Sequence, residues 1–226
     1  FLNLANYIDE IIILKSSKKK IQKDFLDTIN IISKTTFIPI VAGGCIRSIK
    51  DADNLINSGA DKIIINKLFN ENPKICKQIS KRYGKQFIVG SIDFLIKSNK
   101  FMIYDSYTKK YYFKKINKLV DDLSKNGAGE ILLQSVDKDG TGFGLEKKIM
   151  KEIKKKDFPI ILMGGVGNYE HIIDGYNINN CEAISTANLF NFIGKEFINV
   201  RKKLERKFNL PKKGNQDIKK LKNYFL

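Results

Sequence analysis

The feature that most constrains the fold of this chain is an alternation of short apolar runs with longer amphipathic segments. Segments such as 48–58 and 169–176 follow the 3.6-residue period of a helix and separate the runs. The seven runs, nearly continuous in Ile, Val and Leu, are 10–14, 38–42, 62–66, 87–93, 130–136, 160–163 and 182–187. Such runs are typical of strands buried on both faces, so the order of elements predicts an α/β fold with a parallel sheet.

The number of strands bears on whether the sheet closes. A length of 226 residues suits one large α/β barrel. A closed barrel of this type has eight strands, whereas seven are predicted here. Either the sheet is open or the chain lacks the first strand. We expect residues 1–207 to form the barrel, ending in a helix that starts near residue 195, and residues 208–226 to form a basic C-terminal extension.

Two Gly-Gly pairs mark the carboxyl ends of predicted strands. Gly43-Gly44 follows the run 38–42, and Gly164-Gly165 follows the run 160–163. Glycines there let backbone N–H groups approach an anion, and the N-terminus of the next helix adds a favourable dipole. One pair alone is explained equally well as a tight turn. Two pairs in matching positions of two similar halves indicate two phosphates, and Asp139-Gly140-Thr141 is a candidate source of further donors near the second pair.

Two acidic residues follow predicted strands at the rim where barrel enzymes build their active sites. Asp93 ends the run 87–93, and Asp137 follows the run 130–136. A carboxylate at either position can serve as a general acid or base, or can cap the next helix. We favour catalysis for Asp93, and both interpretations stay open for Asp137.

Charged residues begin three of the predicted strands and would lie at the opposite end of a barrel. They are Glu10, Lys62 and Glu130. Spacing alone favours the simplest interpretation, which is that they are solvated strand starts. The alternative is a ring of opposite charges that gates an axial passage.

Composition limits the other classes of function. The formal net charge of +17 makes a basic nucleic-acid-binding protein one candidate, but the lysines are spread along the chain, which favours solvated helix faces. Three widely spaced cysteines and one histidine predict no disulfide framework and no metal site, and they fit the reducing cytoplasm. No run is long enough to span a membrane. We therefore expect no metal, no cofactor, no nucleic acid and no membrane partner.

Four segments resemble HisF, the cyclase subunit of imidazole glycerol phosphate synthase. They are 41–48, 59–66, 127–141 and 164–168, and the resemblance runs from about residue 7 to residue 204. It implies a phosphate-binding (β/α)8 barrel of the TIM type, whose first strand, with one catalytic aspartate, is missing from this chain. It also implies a lyase-type cyclase. Ammonia released by a glutaminase partner would pass through the barrel to a bis-phosphorylated substrate.

The resemblance also implies roles for individual residues. Asp93 is the expected catalytic acid, and Asp137 stays a second candidate. Glu10, Lys62 and Glu130 fall on the charged gate of the family, which reverses the preference drawn from spacing, and Asp61 falls on the glutaminase-facing surface. The expected phosphate-binding residues are Gly43, Gly44, Asn66, Asp139, Gly140, Gly164, Gly165, Ala187 and Asn188.

Several positions depart from the family pattern at the substrate rim. Lys15 replaces an Asp, Cys45 a Gly, Lys67 a Thr, Met163 a Ser, and Asn188 a Ser. A base in place of an acid inside an active site is expected to reverse the local field. A rewritten rim with a retained gate resembles the HisF-like paralogues of surface-polysaccharide clusters, which work with a glutaminase and a sugar amidotransferase to make amidino sugars. The alternatives are the authentic cyclase of histidine biosynthesis and the related sugar isomerase of the same pathway.

Overall fold

A computed structural model describes residues 7–15, 20–154, 158–187 and 196–209. Seven parallel strands pair in the order β1-β2-β3-β4-β7-β8-β9 and curl into a half-barrel with helices between the strands. The strands are β1 Ile11–Leu14, β2 Ile40–Gly43, β3 Lys62–Ile65, β4 Ile88–Lys97, β5 Lys100–Asp105, β6 Lys110–Tyr112, β7 Glu130–Ser135, β8 Ile160–Met163 and β9 Ala183–Ser185. The helices are α1 Lys23–Thr35, α2 Ile49–Asn57, α3 Leu68–Glu71, α4 Pro73–Tyr83, α5 Ile116–Lys125, α6 Tyr169–Tyr176 and α7 Glu196–Phe208.

The predicted fold class is confirmed, since the parallel strands and alternating helices are those of a (β/α)8 TIM-type fold. Each of the seven predicted runs overlaps a parallel strand, and the terminal helix predicted near residue 195 is α7. The predicted C-terminal extension lies outside the described residues from residue 210 onward. In the described part of the chain, no helix is long and apolar enough to cross a membrane.

The main element that the sequence reasoning missed is a β-hairpin on top of β4. Strand β4 was predicted to end at residue 93 but continues to Lys97, and β5 pairs with it antiparallel in the register Lys97↔Lys100. The two-residue turn, Ser98 and Asn99, has φ angles of 48° and 58°. Two positive φ angles fit the type I′ turn that joins twisted antiparallel strands. Polar Ser-Asn between two apolar runs was the signal that could have revealed it.

The two faces of the parallel sheet carry separate apolar clusters. The helix-facing side packs against the helices in the large core, which includes the fully buried Ile29, Leu55, Ile79 and Val120. The inner face carries a smaller layer made of Val41, Ile64, Val89, Leu132 and Ile161, with Ile12 and Met163 packed against it. Because side chains alternate along a strand, this layer fixes which other residues face the barrel interior.

Candidate functional site

The lower end of the barrel interior is a layer of charged side chains. Glu10, Lys62 and Glu130 each lie two residues before a member of the inner apolar layer, and therefore on the same face and closer to the N-terminal ends of the strands. Lys62 Nζ donates a hydrogen bond to the Glu10 carboxylate and another to Glu130 Oε1 at 2.7 Å. Residues separated by 52 and 68 positions thus form one ion-pair network.

The charged layer is only partly open to solvent, which affects its protonation. The side chains of Lys62, Glu10 and Glu130 are 22%, 30% and 17% exposed. Burial by itself lowers the pKa of Lys62, but the hydrogen bonds to Glu10 and Glu130 outweigh it, so that the pKa is raised above its usual value. Lys62 is therefore a cation at neutral pH, held between two carboxylates.

The opposite end of the interior carries Asp93. It lies four residues after Val89 on β4 and so points to the same inner face. Burial raises the pKa of Asp93 to about 6, against hydrogen bonds from Asn66 and Ser91 that lower it. The Ser91 Oγ to Asp93 Oδ1 distance is 3.5 Å. A carboxyl group with a pKa this close to neutrality can accept and return a proton under physiological conditions.

The two Gly-Gly turns lie at this same rim, and neighbouring strands account for much of their glycine requirement. A Cβ on Gly43 would lie 2.5 Å from Ile64 O, and one on Gly44, where φ is +102°, would lie 2.5 Å from Lys15 O. In the second turn, Gly164 has φ +105° and its Cβ would lie 2.5 Å from Ser135 O. Tight strand pairing therefore demands glycine at these positions whether or not an anion binds, and phosphate binding stays a prediction.

Asp137 and Asp139 stabilise the loop that follows β7. Asp137 is exposed, and its two carboxylate oxygens accept hydrogen bonds from Ile96 N at 3.0 Å and Ser135 Oγ at 2.8 Å. Asp139 Oδ2 accepts from Gln134 Nε2 at 3.0 Å. These bonds tie the loop to β4 and β7, which is a structural role for both carboxylates. The catalytic role of Asp137 stays a prediction, as does phosphate binding by Asp139.

The remaining candidate residues are scattered around the two ends. Asn66 hydrogen-bonds to Asp93, so these two predicted site residues are brought together. Gly140 has φ +76° with no atom within 4 Å of a Cβ placed there, and Ala187 is exposed after β9. At the lower end, exposed Asp61 accepts a hydrogen bond from Ile40 N at 2.8 Å. Asn188 lies outside the described residues.

The structure corrects the expectation that Lys15 reverses the field of the active site. The Lys15 ammonium donates to Gln22 Oε1 at 3.3 Å and lies 6.0 Å from the centroid of the Phe25 ring. Both partners are at the start of α1, on the helix-facing side of the sheet. The alternation of side chains explains this direction, because Ile12 faces inward and Lys15 is an odd number of residues away. Met163, by contrast, packs against the inner layer.

Sequence reasoning also missed Tyr107, at the tip of the β5–β6 hairpin. Its hydroxyl lies 3.0 Å from Cys45 Sγ, directly after the first Gly-Gly pair. The Lys67 ammonium lies 4.4 Å from the centroid of its ring. Two of the positions that depart from the family pattern therefore share one aromatic partner, which no local pattern reveals because the residues are far apart in sequence.

Comparisons with known proteins agree with this architecture. Residues 5–193 match the family described as histidine biosynthesis protein. A relative from Parasynechococcus marenigrum, named as subunit hisF2 of imidazole glycerol phosphate synthase, is 40% identical over 195 residues, which cover 84% of this chain and 71% of the relative. HisF subunits of that synthase from Helicobacter hepaticus and Chlorobium phaeobacteroides are 33% and 34% identical, each over 81% of this chain and 74% of the relative. The chain therefore belongs to the histidine biosynthesis protein family, as a member of its HisF group.

Proposed function

We propose that this protein is a HisF-family cyclase subunit that receives ammonia from a glutaminase, and that it serves the amidation of a surface sugar. Its ammonia would enter at the charged layer of Glu10, Lys62 and Glu130, pass the inner apolar layer and reach the rim at Asp93. A sugar amidotransferase would then use this ammonia to amidate the sugar.

The charged layer is the observation that carries the proposal. A lysine held between two carboxylates on the inner face of a barrel is unnecessary for a barrel that binds substrate only at its rim. The ion-pair network closes the lower end when Lys62 Nζ contacts both Glu10 and Glu130. Rotation of this one side chain would open a path, because the layer above it is apolar and offers no further charge to a neutral ammonia molecule.

The lower surface also has the character of a protein contact site. A cavity of about 230 Å³ lies there, and its lining includes Phe37, Pro39 and Asp61. Phe37 is 82% exposed beside this cavity and offers aromatic surface of the kind that is enriched at protein interfaces. We infer that the glutaminase covers this surface and delivers ammonia to the charged layer beside it.

One observation favours sugar amidation over histidine synthesis. Met163 places a thioether, where the family has a serine hydroxyl, at the inner edge of the rim. The retained Asp93, with a pKa of about 6, supports the alternative, an active cyclase of histidine biosynthesis.

A glutaminase assay tests the partnership. The glutaminase subunit from the same genome is incubated with glutamine, with and without this protein, and glutamate formation is measured. We expect this protein to stimulate glutamate formation. With an aminated product as the second readout, Lys62→Ala should lower the product formed per glutamate, whereas Lys77→Ala, an exposed lysine on α4, should not. Absence of both binding and stimulation would instead favour the related sugar isomerase.

Complementation separates the two versions of the function. The gene for this protein is introduced into a bacterium that lacks its own cyclase subunit and needs histidine for growth, with an authentic HisF gene as the positive control. We expect no robust growth without histidine. Growth comparable to the positive control would reject the sugar-amidation version and leave the histidine-pathway cyclase.

A further inference from the structure

The tip of the β5–β6 hairpin is held in a defined position. Asp105 Oδ1 accepts hydrogen bonds from the backbone N–H groups of Tyr107 at 2.8 Å and Thr108 at 3.2 Å. Tyr107 is half-buried, although its neighbours Ser106 and Thr108 are exposed. A half-buried side chain between exposed neighbours at the tip of a hairpin is packed against another part of the molecule.

That other part is the first Gly-Gly turn. The Tyr107 hydroxyl lies 3.0 Å from Cys45 Sγ, and it accepts a hydrogen bond from the Arg47 guanidinium. The Lys67 ammonium lies 4.4 Å from the ring centroid, within the range of a cation–π contact, and also pairs with Glu71 at 3.2 Å. The ring thus lies between the ends of β2 and β3. Both cations that would attract a phosphate there already have partners.

The N-terminus of the helix after this turn is also occupied. Asp51 Oδ2 accepts hydrogen bonds from Arg47 N at 3.0 Å and Ser48 Oγ at 2.8 Å, and Ser48 Oγ accepts from Asp51 N at 3.2 Å. The carboxylate of Asp51 therefore takes the place at the N-terminus of α2 that an anion would take. A phosphate arriving here would meet a fixed negative charge.

The second turn lacks this arrangement among the described residues. At the N-terminus of α6, Asn168 Oδ1 accepts from His171 N at 3.0 Å, and His171 Nδ1 accepts from Gly167 N at 3.1 Å. Both acceptors are uncharged in these bonds. The loop that packs on the second turn contacts it through backbone atoms, since Gly144 N donates a hydrogen bond to Gly165 O at 2.7 Å. In the described part of the chain, an anion at the second turn would therefore meet an amide cap in place of the Asp51 carboxylate.

From these contacts we propose that Tyr107 is a specificity-determining residue that closes the first Gly-Gly turn to phosphate. The barrel then anchors a ligand with a single phosphate, through the second turn. This inference rests on the proposed function, because it names the substrate class of that same rim. It excludes a bis-phosphorylated ligand held at both turns.

Binding of two sugar phosphates tests the inference without any measurement of ammonia transfer. The probes are ribose 5-phosphate and ribulose 1,5-bisphosphate, and the readouts are their dissociation constants and the backbone amide shifts of Gly44 and Gly165 in 15N-labelled protein. For the wild type we expect dissociation constants within about threefold of each other, and shifts at Gly165 but not at Gly44. A bisphosphate that binds at least tenfold tighter, shifts at Gly44, or no shift at Gly165 would overturn the proposal.

Variants of the hairpin complete the test. Tyr107→Ala should tighten ribulose 1,5-bisphosphate about tenfold relative to ribose 5-phosphate and bring Gly44 into the set of shifted amides. Tyr111→Ala is the matched control, because Tyr111 lies on the same hairpin and contacts Lys97 instead of the turn. An unchanged ratio in Tyr107→Ala contradicts the proposal. Failure of the glutaminase assay would affect the proposed function but not these binding results, so the two can be judged separately.

Discussion

The two ends of the barrel interior differ in how their charges are balanced. At the lower end, Lys62 neutralises Glu10 and Glu130 by direct contact. At the rim, Asp93 receives hydrogen bonds from the neutral Asn66 and Ser91, while Asp105 adds a like charge that raises its pKa further. The lower end pairs its opposite charges, whereas the rim holds a carboxyl group whose pKa is close to neutral pH. The lower end therefore balances its charges internally, and the carboxyl group at the rim can gain or lose a proton near neutral pH.

The rim also differs from the lower end in backbone constraint. Its Gly-Gly turns have positive φ angles and tight contacts with adjacent strands, whereas the lower charges depend on side chains alone. Substitutions should therefore have their largest effects on stability in the rim backbone, smaller effects in the charged layer, and still smaller effects at single hydrogen bonds of the rim.

The backbone of the second turn should be the most sensitive point. Gly164→Ala places a Cβ 2.5 Å from Ser135 O at φ +105°, so we expect a loss of at least roughly 3 kcal/mol in the free energy of unfolding. Gly140→Ala is the matched control, because φ is +76° but the space is open, and only about 1 kcal/mol is expected. Urea unfolding measures both. Equal losses would show that backbone conformation alone, and not the contact with β7, limits the turn.

Removal of the Lys62 cation should have the next largest effect on stability. Lys62→Met leaves two partly buried carboxylates facing each other, so we expect a loss of roughly 2 kcal/mol in the free energy of unfolding at pH 7. Lys77→Met, at an exposed lysine, should stay within about 0.5 kcal/mol of the wild type. If Lys62→Met were as stable as the wild type, water alone would be enough to stabilise the two carboxylates of the charged layer without a cation between them.

Neutralisation of Asp93 should stabilise the folded protein, whereas the substitutions above should destabilise it. The folded-state pKa of about 6 lies above the ordinary value of 3.8, so the unfolded state ionises first and the free energy of unfolding falls as the pH rises from about 4 to about 6. Asp93→Asn should therefore raise the free energy of unfolding by roughly 2 kcal/mol at pH 8, with little gain at pH 4. Thermal unfolding at the two pH values measures this, with exposed Asp139→Asn as control. A gain that is independent of pH would reject the raised pKa as its cause.

The smallest effect is expected at Asp137. Asp137→Ala removes the acceptor for Ile96 N and Ser135 Oγ, and should cost about 1 kcal/mol. Asp137→Asn keeps one acceptor oxygen and should cost less. If Asp137 has only the structural role, both variants should retain the ligand-binding affinity of the wild type once folded. A large loss of activity in the well-folded Asn variant would instead support a catalytic role.

Much of the fold was predictable, and the reason is local. Runs such as 160–163 are continuous in apolar residues, and their length and spacing report strands in a parallel sheet without any knowledge of contacts. The hairpin escaped because β4 and β5 look like one apolar stretch interrupted by the inconspicuous pair Ser98-Asn99. The candidate site was predictable in part, because the end of the run 87–93 placed Asp93 at the rim, whereas only the resemblance to HisF placed Lys62 in a charged gate.

What the sequence determined by itself is the order of the parallel strands and the position of the glycine-bearing turns, since these follow from local apolar runs and backbone geometry. The tertiary structure alone decided which residues face inward and which of them meet. It brought Lys62 to Glu130 across 68 residues, turned Lys15 toward α1, and set Tyr107 against Cys45 across 62 residues. Such contacts depend on the curvature of the sheet and the docking of a hairpin, which arise from packing of the whole chain and leave no local pattern.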